Sequence, residues 1–220
     1  PIQYDVILID EGQDFKPEYW LAIEMLRVQQ EDTKLYIFQD SNQAIYTDSN
    51  DLPINCESLF LFDNCRNTKY IHNSAYQYYK GTEVDAPDLE GEPVQLIEEM
   101  SLELQARAID KKILGLINTE NINPEDIAII VMGSFHEAQA LLSNTNNSHL
   151  WAFKEFSPTS KVLVETEKRF KGLEAKIIFL WIIDEKAIND KSLYVSISRA
   201  RFRLWVIGTT PIIKITNLMK

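Results

Sequence analysis

Apolar residues in this chain come in short unbroken runs, separated by longer stretches in which they recur every three or four positions. The first run, Tyr4-Asp5-Val6-Ile7-Leu8-Ile9-Asp10, closes on an acid and predicts a strand buried on both faces of a parallel sheet. Pro17 suits a first helical turn, and Tyr19, Ile23 and Leu26 then follow at helical spacing. A second buried strand is expected from Leu35 to Phe38, ending on the polar pair Gln39-Asp40. Residues 47–55, rich in Asp, Asn, Ser and Pro, have the composition of a linker.

Beyond the linker the alternation resumes. Strands are expected at Ser58–Phe62, Pro93–Ile97, Asp126–Val131, Lys161–Glu165, Lys176–Ile183 and Leu204–Gly208. Between them the spacing predicts helices at Thr68–Tyr79, His136–Leu142 and Ser192–Arg201, and one whose Leu102, Ala106, Ile109, Ile113 and Leu116 share a face. Strands alternating with helices imply an α/β fold around a parallel sheet. Ligands of such sheets sit at the carboxyl ends of strands, and the unusual polar residues are expected there. The 220 residues suit one partial lobe at 1–55, linker included, followed by a complete lobe at 56–220.

Composition narrows the function. Hydrophobic residues at 45% and charged residues at 25% are ordinary for a soluble globular protein. The longest strongly apolar run, Ile177–Ile183, is far short of the roughly 20 residues that cross a bilayer. With no signal-type N-terminus, the expectation is a cytoplasmic protein without a membrane partner. Cys56 and Cys65 form no CxxC pair, which fits reduced thiols. A formal net charge of −11 argues against a broad basic face that coats nucleic acid, so contacts with it are expected to be local. The first residue is Pro1, and the chain is expected to begin inside a longer polypeptide.

Asp10-Glu11-Gly12-Gln13-Asp14 puts adjacent carboxylates directly after a strand, where one can hold Mg²⁺ and the next orient water. Alone, such a pair far more often opens a surface loop and helps cap the next helix. Four further segments follow in order: Gln39-Asp40-Ser41-Asn42-Gln43-Ala44-Ile45-Tyr46, Asn64-Cys65-Arg66-Asn67, Thr166 to Glu174, and Leu193 to Arg201. His72, His136 and His149 show no zinc-site spacing, no Gly-x-Ser-x-Gly elbow occurs, and no Gly-x-x-x-x-Gly-Lys-[Ser/Thr] phosphate loop occurs either. The aromatic-rich Tyr70–Tyr79 segment is expected to be a packed helix face.

Taken together, the five segments resemble motifs II to VI of the UvrD/Rep-like superfamily 1 DNA helicases, the part of that motor after the P-loop. The resemblance departs from the family pattern at Gln39, Cys65, Lys168 and Phe170. It implies RecA-like parallel sheets of the P-loop NTPase type, the first lobe incomplete, with ATP and Mg²⁺ as cofactors. Asp10 would bind Mg²⁺, Glu11 would activate water and Gln43 would sense the γ-phosphate. Arg66 and Arg199 would stabilise transition-state charge, and Glu174 would bind the ribose. Tyr46 and Thr166 would contact single-stranded DNA or RNA, and the other expected partner is an upstream P-loop half of the same polypeptide. The rival expectation is a non-hydrolysing, helicase-like regulatory or binding module of a DNA repair or defence complex.

Overall fold

The computed structural model describes residues 2–28, 33–40, 59–153 and 159–218. The chain forms two compact units, Pro1–Leu61 and Phe62–Lys220. The expected boundary between residues 55 and 56, the 47–55 linker, Gln43 and Tyr46 all lie outside the described residues.

In the first unit, β1 (Val6–Ile9) pairs in parallel with β2 (Lys34–Ile37), Val6 opposite Lys34. Between them runs α1 (Pro17–Leu26), started by proline at its first position, where the missing N–H removes no helical hydrogen bond. The expectation of buried strands fails for β1 and also for β2, where Tyr36 and the following Phe38 are exposed. Ile9 is buried, while Val6 and Leu8 on the opposite face are exposed, because among the described residues only the side toward Ile9 is packed. The helix likewise buries Trp20, which packs on Phe15 at 5.0 Å between ring centroids, and leaves Tyr19 and Leu26 exposed.

The chain is exposed where the first unit ends and the second begins. Residues 59–62 form no strand, contrary to expectation. Leu59, Phe60, Leu61 and Phe62 are all exposed, and apolar content by itself does not make a ladder. Asp63 makes one isolated bridge to Asp85. There follow α2 (Lys69–Tyr76), β3 (Gln95–Glu98), α3 (Leu102–Glu120), β4 (Ile127–Met132), α4 (Phe135–Ser143) and β5 (Trp151–Phe153). The unit closes with β6 (Val162–Thr166), β7 (Ala175–Ile182), α5 (Asp190–Ser198), β8 (Ala200–Gly208) and α6 (Thr210–Ile215). Six strands form one all-parallel sheet in the order β3-β8-β7-β4-β6-β5.

Burial follows strand order. Every residue of β4 is buried, as is β7 apart from Lys176, the condition of a central parallel strand covered on both faces. Alternate residues serve opposite layers. Ile127, Ile129, Val131, Phe179, Trp181, Trp205 and Ile207 join Ile109, Ile113 and Leu116 of α3 and Leu142 of α4 in one core cluster. α3 is further pinned by polar contacts within the core: Trp181 Nε1 donates to Gln105 Oε1 at 2.7 Å, and Gln105 Nε2 donates to the Glu99 carbonyl at 2.9 Å. Tyr76 of α2 and Tyr79 beyond its end pack on Tyr194 of α5, so part of the aromatic segment is packed as expected, while Tyr70 is exposed and the helix stops at Tyr76, short of the expected Tyr79.

Element boundaries depart from expectation most where α5 gives way to β8. α5 ends at Ser198, and Ala200 and Arg201 already belong to β8. Their carbonyls are taken by partners outside the helix, and the following Phe202, Leu204, Trp205, Val206 and Ile207 favour strand geometry. β5 and α6 were not foreseen. No helix among the described residues is long and apolar enough to cross a membrane.

Candidate functional site

In the first unit the chain turns sharply after Ile9. Glu11 adopts φ 53° and ψ 41°, a left-handed conformation uncommon for a residue with a side chain. Its N–H donates to Asp10 Oδ1 at 2.9 Å. Gly12 then runs against β2: its N–H donates to the Phe38 carbonyl at 2.9 Å, and a Cβ at this position would lie 2.5 Å from Ile37 Cγ2. Gln13, 2% exposed, is the hub of the turn. Its Nε2 donates to Glu11 Oε2, and its Oε1 accepts the Asp40 N–H at 3.1 Å. The amide thus fixes the Glu11 carboxylate to the end of β2. Asp10 stays exposed at the carboxyl end of β1, an open carboxylate of the kind that suits Mg²⁺, which takes most of its ligands from water and phosphate.

In the second unit, three segments far apart in sequence meet. Arg66 Nε lies 3.3 Å from Glu174 Oε2, and Arg201 Nη1 lies 3.7 Å from Glu174 Oε1. All three side chains are exposed. Asn64 shapes the loop that carries Arg66: its Oδ1 accepts the N–H of Arg66 at 2.9 Å and of Asn67 at 3.4 Å, as in an Asx turn. Its Nδ2 donates to Asn67 Oδ1 at 3.0 Å and lies 2.9 Å from His72 Nδ1. Two backbone donors fix the Asn64 oxygen, so its NH₂ faces the ring and Nδ1 must be the bare nitrogen of a neutral imidazole. Burial is the largest influence on His72 and lowers its pKa from the ordinary 6.5, against a hydrogen bond to the Val84 backbone and the charge of Asp85. The ring also stacks on Tyr76 at 4.0 Å.

The location of this cluster corrects one expectation. Glu174 immediately precedes β7 and Arg199 immediately precedes β8. Arg66, Glu174 and Arg201 therefore gather at the amino edge of the parallel sheet, not at its carboxyl edge. Asp10 and Thr166 do stand at carboxyl ends, of β1 and β6. Arg199 is close in sequence but its side chain is not in the cluster. It is 3% exposed and turned back along α5, with Nε donating to the Val195 carbonyl at 3.1 Å and Nη2 to Ser198 Oγ at 3.2 Å.

Thr166 opens a turn and anchors it, its carbonyl accepting the Phe170 N–H at 2.9 Å and its Oγ1 the Arg169 N–H at 3.4 Å. Phe170, where the family pattern has a small residue, is fully buried. Beside it the Glu165 carboxylate, also buried, is paired with Arg169 at 3.4 Å. Burial raises the pKa of Glu167. The turn leaves through Gly172, whose φ of 80° suits glycine. Arg201, Asn64, Asn67, Gly12 and Gln13 were not singled out from sequence. They lie within the motif segments read from sequence, where they were given no role of their own.

No family model and no curated protein matches the sequence. Among solved structures the chain is similar to the C-terminal domain of a possible DNA helicase from Lactobacillus plantarum WCFS1, with TM-score 0.52 and 18% identity over 66% of this chain and 86% of that one. It is also similar to the arterivirus helicase, nonstructural protein 10, with TM-score 0.53 and 12% identity over 100% of this chain and 42% of that one. At these identities the likeness shows the fold. The chain has the RecA-like α/β architecture of helicase domains, a six-stranded parallel sheet flanked by helices.

Proposed function

We propose that this chain is part of an ATP-dependent helicase or translocase of the UvrD/Rep-like type, which couples ATP hydrolysis to movement on single-stranded nucleic acid. The observation that carries this reading is the Arg66–Glu174–Arg201 cluster, which joins residues from three of the helicase-like motifs. Exposed ion pairs contribute only about 0–1 kcal/mol each to stability. Stability alone is thus a weak reason to assemble the cluster, whereas guanidinium groups held at a sheet edge suit a phosphoryl group whose negative charge grows in the transition state. In this reading Arg66 and Arg199 serve that charge, Arg201 stands beside Arg66, and Glu174 exchanges its arginine partners for the ribose hydroxyls.

Asp10 would hold Mg²⁺, which supplies charge neutralisation at the phosphates. Glu11, oriented by Gln13, accepts the proton of the attacking water. Gln43 senses the γ-phosphate, and Tyr46 and Thr166 serve the nucleic acid strand through stacking and hydrogen bonding. These 220 residues contain no P-loop, so the phosphate cradle comes from outside them. The inward-turned Arg199 favours a second reading, a helicase-like binding module without turnover. ATP turnover in a protein that joins this chain to a P-loop lobe separates the two: DNA-stimulated hydrolysis supports the motor, and nucleotide binding without hydrolysis supports the module.

A further inference from the structure

Around Arg199 four consecutive backbone carbonyls point away from α5, and each has a partner. The Arg199 carbonyl accepts the Ala175 N–H at 3.2 Å, and the Arg201 carbonyl accepts the Thr68 N–H at 3.0 Å. The other two, from Ser198 and Ala200, are both taken by one side chain: Asn67 Nδ2 donates to them at 2.9 Å and 2.5 Å. Asn67 is 5% exposed, and its Oδ1 is held by Asn64 Nδ2. Both N–H donors of its amide are therefore used, and the amide is fixed in orientation.

We propose that Asn67 is a positioning residue whose side-chain amide bridges the carbonyls on either side of Arg199, holding in one geometry the turn that carries Arg199 and Arg201 and the loop that carries Arg66. A primary amide has two N–H donors on one nitrogen, which is what two carbonyls flanking a single residue require. Buried amide bonds of this kind define a unique arrangement, since either carbonyl left alone would be a desolvated acceptor without a donor. Asn64 and His72 extend the support from behind. Among the described residues the Asn67 side chain hydrogen-bonds to backbone carbonyls and to Asn64 and not to a guanidinium group, so its influence on the arginines passes through the backbone. The consequence for catalysis rests on the functional reading above, but the positioning itself does not.

Asn67→Asp is nearly isosteric and sets a carboxylate against the two carbonyls. Asn67→Ala removes the amide without adding charge, and it keeps the test open if the Asp variant does not fold. In ¹H–¹⁵N spectra of the 220-residue chain, the backbone amides of Ser198–Phe202 and the Nε–H signals of Arg66 and Arg201 should shift together in the variants. Those of Ile129 and Phe179 at the sheet centre should stay in place, and Arg66→Ala should leave Ser198–Ala200 unmoved. Changes confined to residues 66–68 overturn the proposal. In the protein joined to a P-loop, Asn67→Ala should lower kcat with little change in the KM for ATP. Combined with Arg66→Ala it should cost less than the two single effects multiplied, as coupled residues do. Shifted spectra with unchanged kcat would sustain the positioning role and remove the catalytic reading of the cluster.

Discussion

Gly12→Ala tests whether the turn carrying Asp10 and Glu11 depends on close approach to β2. The added Cβ would stand 2.5 Å from Ile37 Cγ2 and 3.4 Å from the Phe38 carbonyl oxygen, whereas carbon atoms in contact settle at about 3.5–4.0 Å. Roughly 1 Å of overlap must be relieved by moving either the turn or the strand, and overpacking of this kind costs about 1–3 kcal/mol. The bonds that yield first are the Gly12 N–H to Phe38 carbonyl and the Phe38 N–H to Ile9 carbonyl, at 2.9 and 2.8 Å. Amide hydrogen exchange at residues 12 and 38 should therefore quicken about 5- to 150-fold, the range that energy implies where exchange follows opening. Ile37→Ala removes the obstructing methyl, so the double variant should lose less protection than the two single effects added together. Unchanged protection in Gly12→Ala, or strict additivity with Ile37→Ala, would refute the close-approach argument.

Two further outcomes concern the second unit. Gln105→Leu should cost about 1–3 kcal/mol by denaturant titration, since it strips the buried Trp181 N–H of its acceptor; adding Trp181→Phe should recover part of the hydrogen-bond loss in a double-variant cycle, and purely additive costs would contradict that. The lowered pKa of His72 means that the unfolded chain binds the proton more readily. Its stabilising contribution is therefore complete above the ordinary pKa of 6.5 and is lost as pH falls below that toward the folded value. Thermal unfolding from pH 8 to 5 should show a smaller acid-induced loss in His72→Gln than in the parent chain, and equal slopes would contradict a buried neutral imidazole.

The parts of the fold legible in sequence are those in which burial imposes a simple period. β4 and β7 are continuous apolar runs because both faces are covered, and α3 shows its core face at Ala106, Ile109, Ile113 and Leu116. β5 has only Trp151, Ala152 and Phe153, and α6 only six residues, too short for any period to emerge. At the site, the linear order of motifs brought Arg66 and Glu174 to notice, and they do meet. Which sheet edge holds them was not legible, because the rule for ligands in parallel sheets favours residues after a strand while Glu174 and Arg199 stand before one. Arg201 was hidden by extending α5 through it. The role of Asn67 is set by carbonyls 131 and 133 positions away, a relation no local pattern carries.

The proposed function requires that these residues serve ATP hydrolysis only together with a phosphate cradle from outside the chain. Its most direct test is ATP turnover, with and without single-stranded DNA, by the 220-residue chain alone and by a protein joining it to a P-loop lobe. Turnover should be negligible for the chain alone and DNA-stimulated for the joined protein. Glu11→Gln should abolish that turnover while nucleotide binding survives, and Arg199→Ala should reduce it by up to roughly 10³–10⁵-fold, the range of arginine fingers. Robust hydrolysis by the isolated chain that persists in Glu11→Gln would contradict both the assignment of Glu11 and the need for an outside cradle.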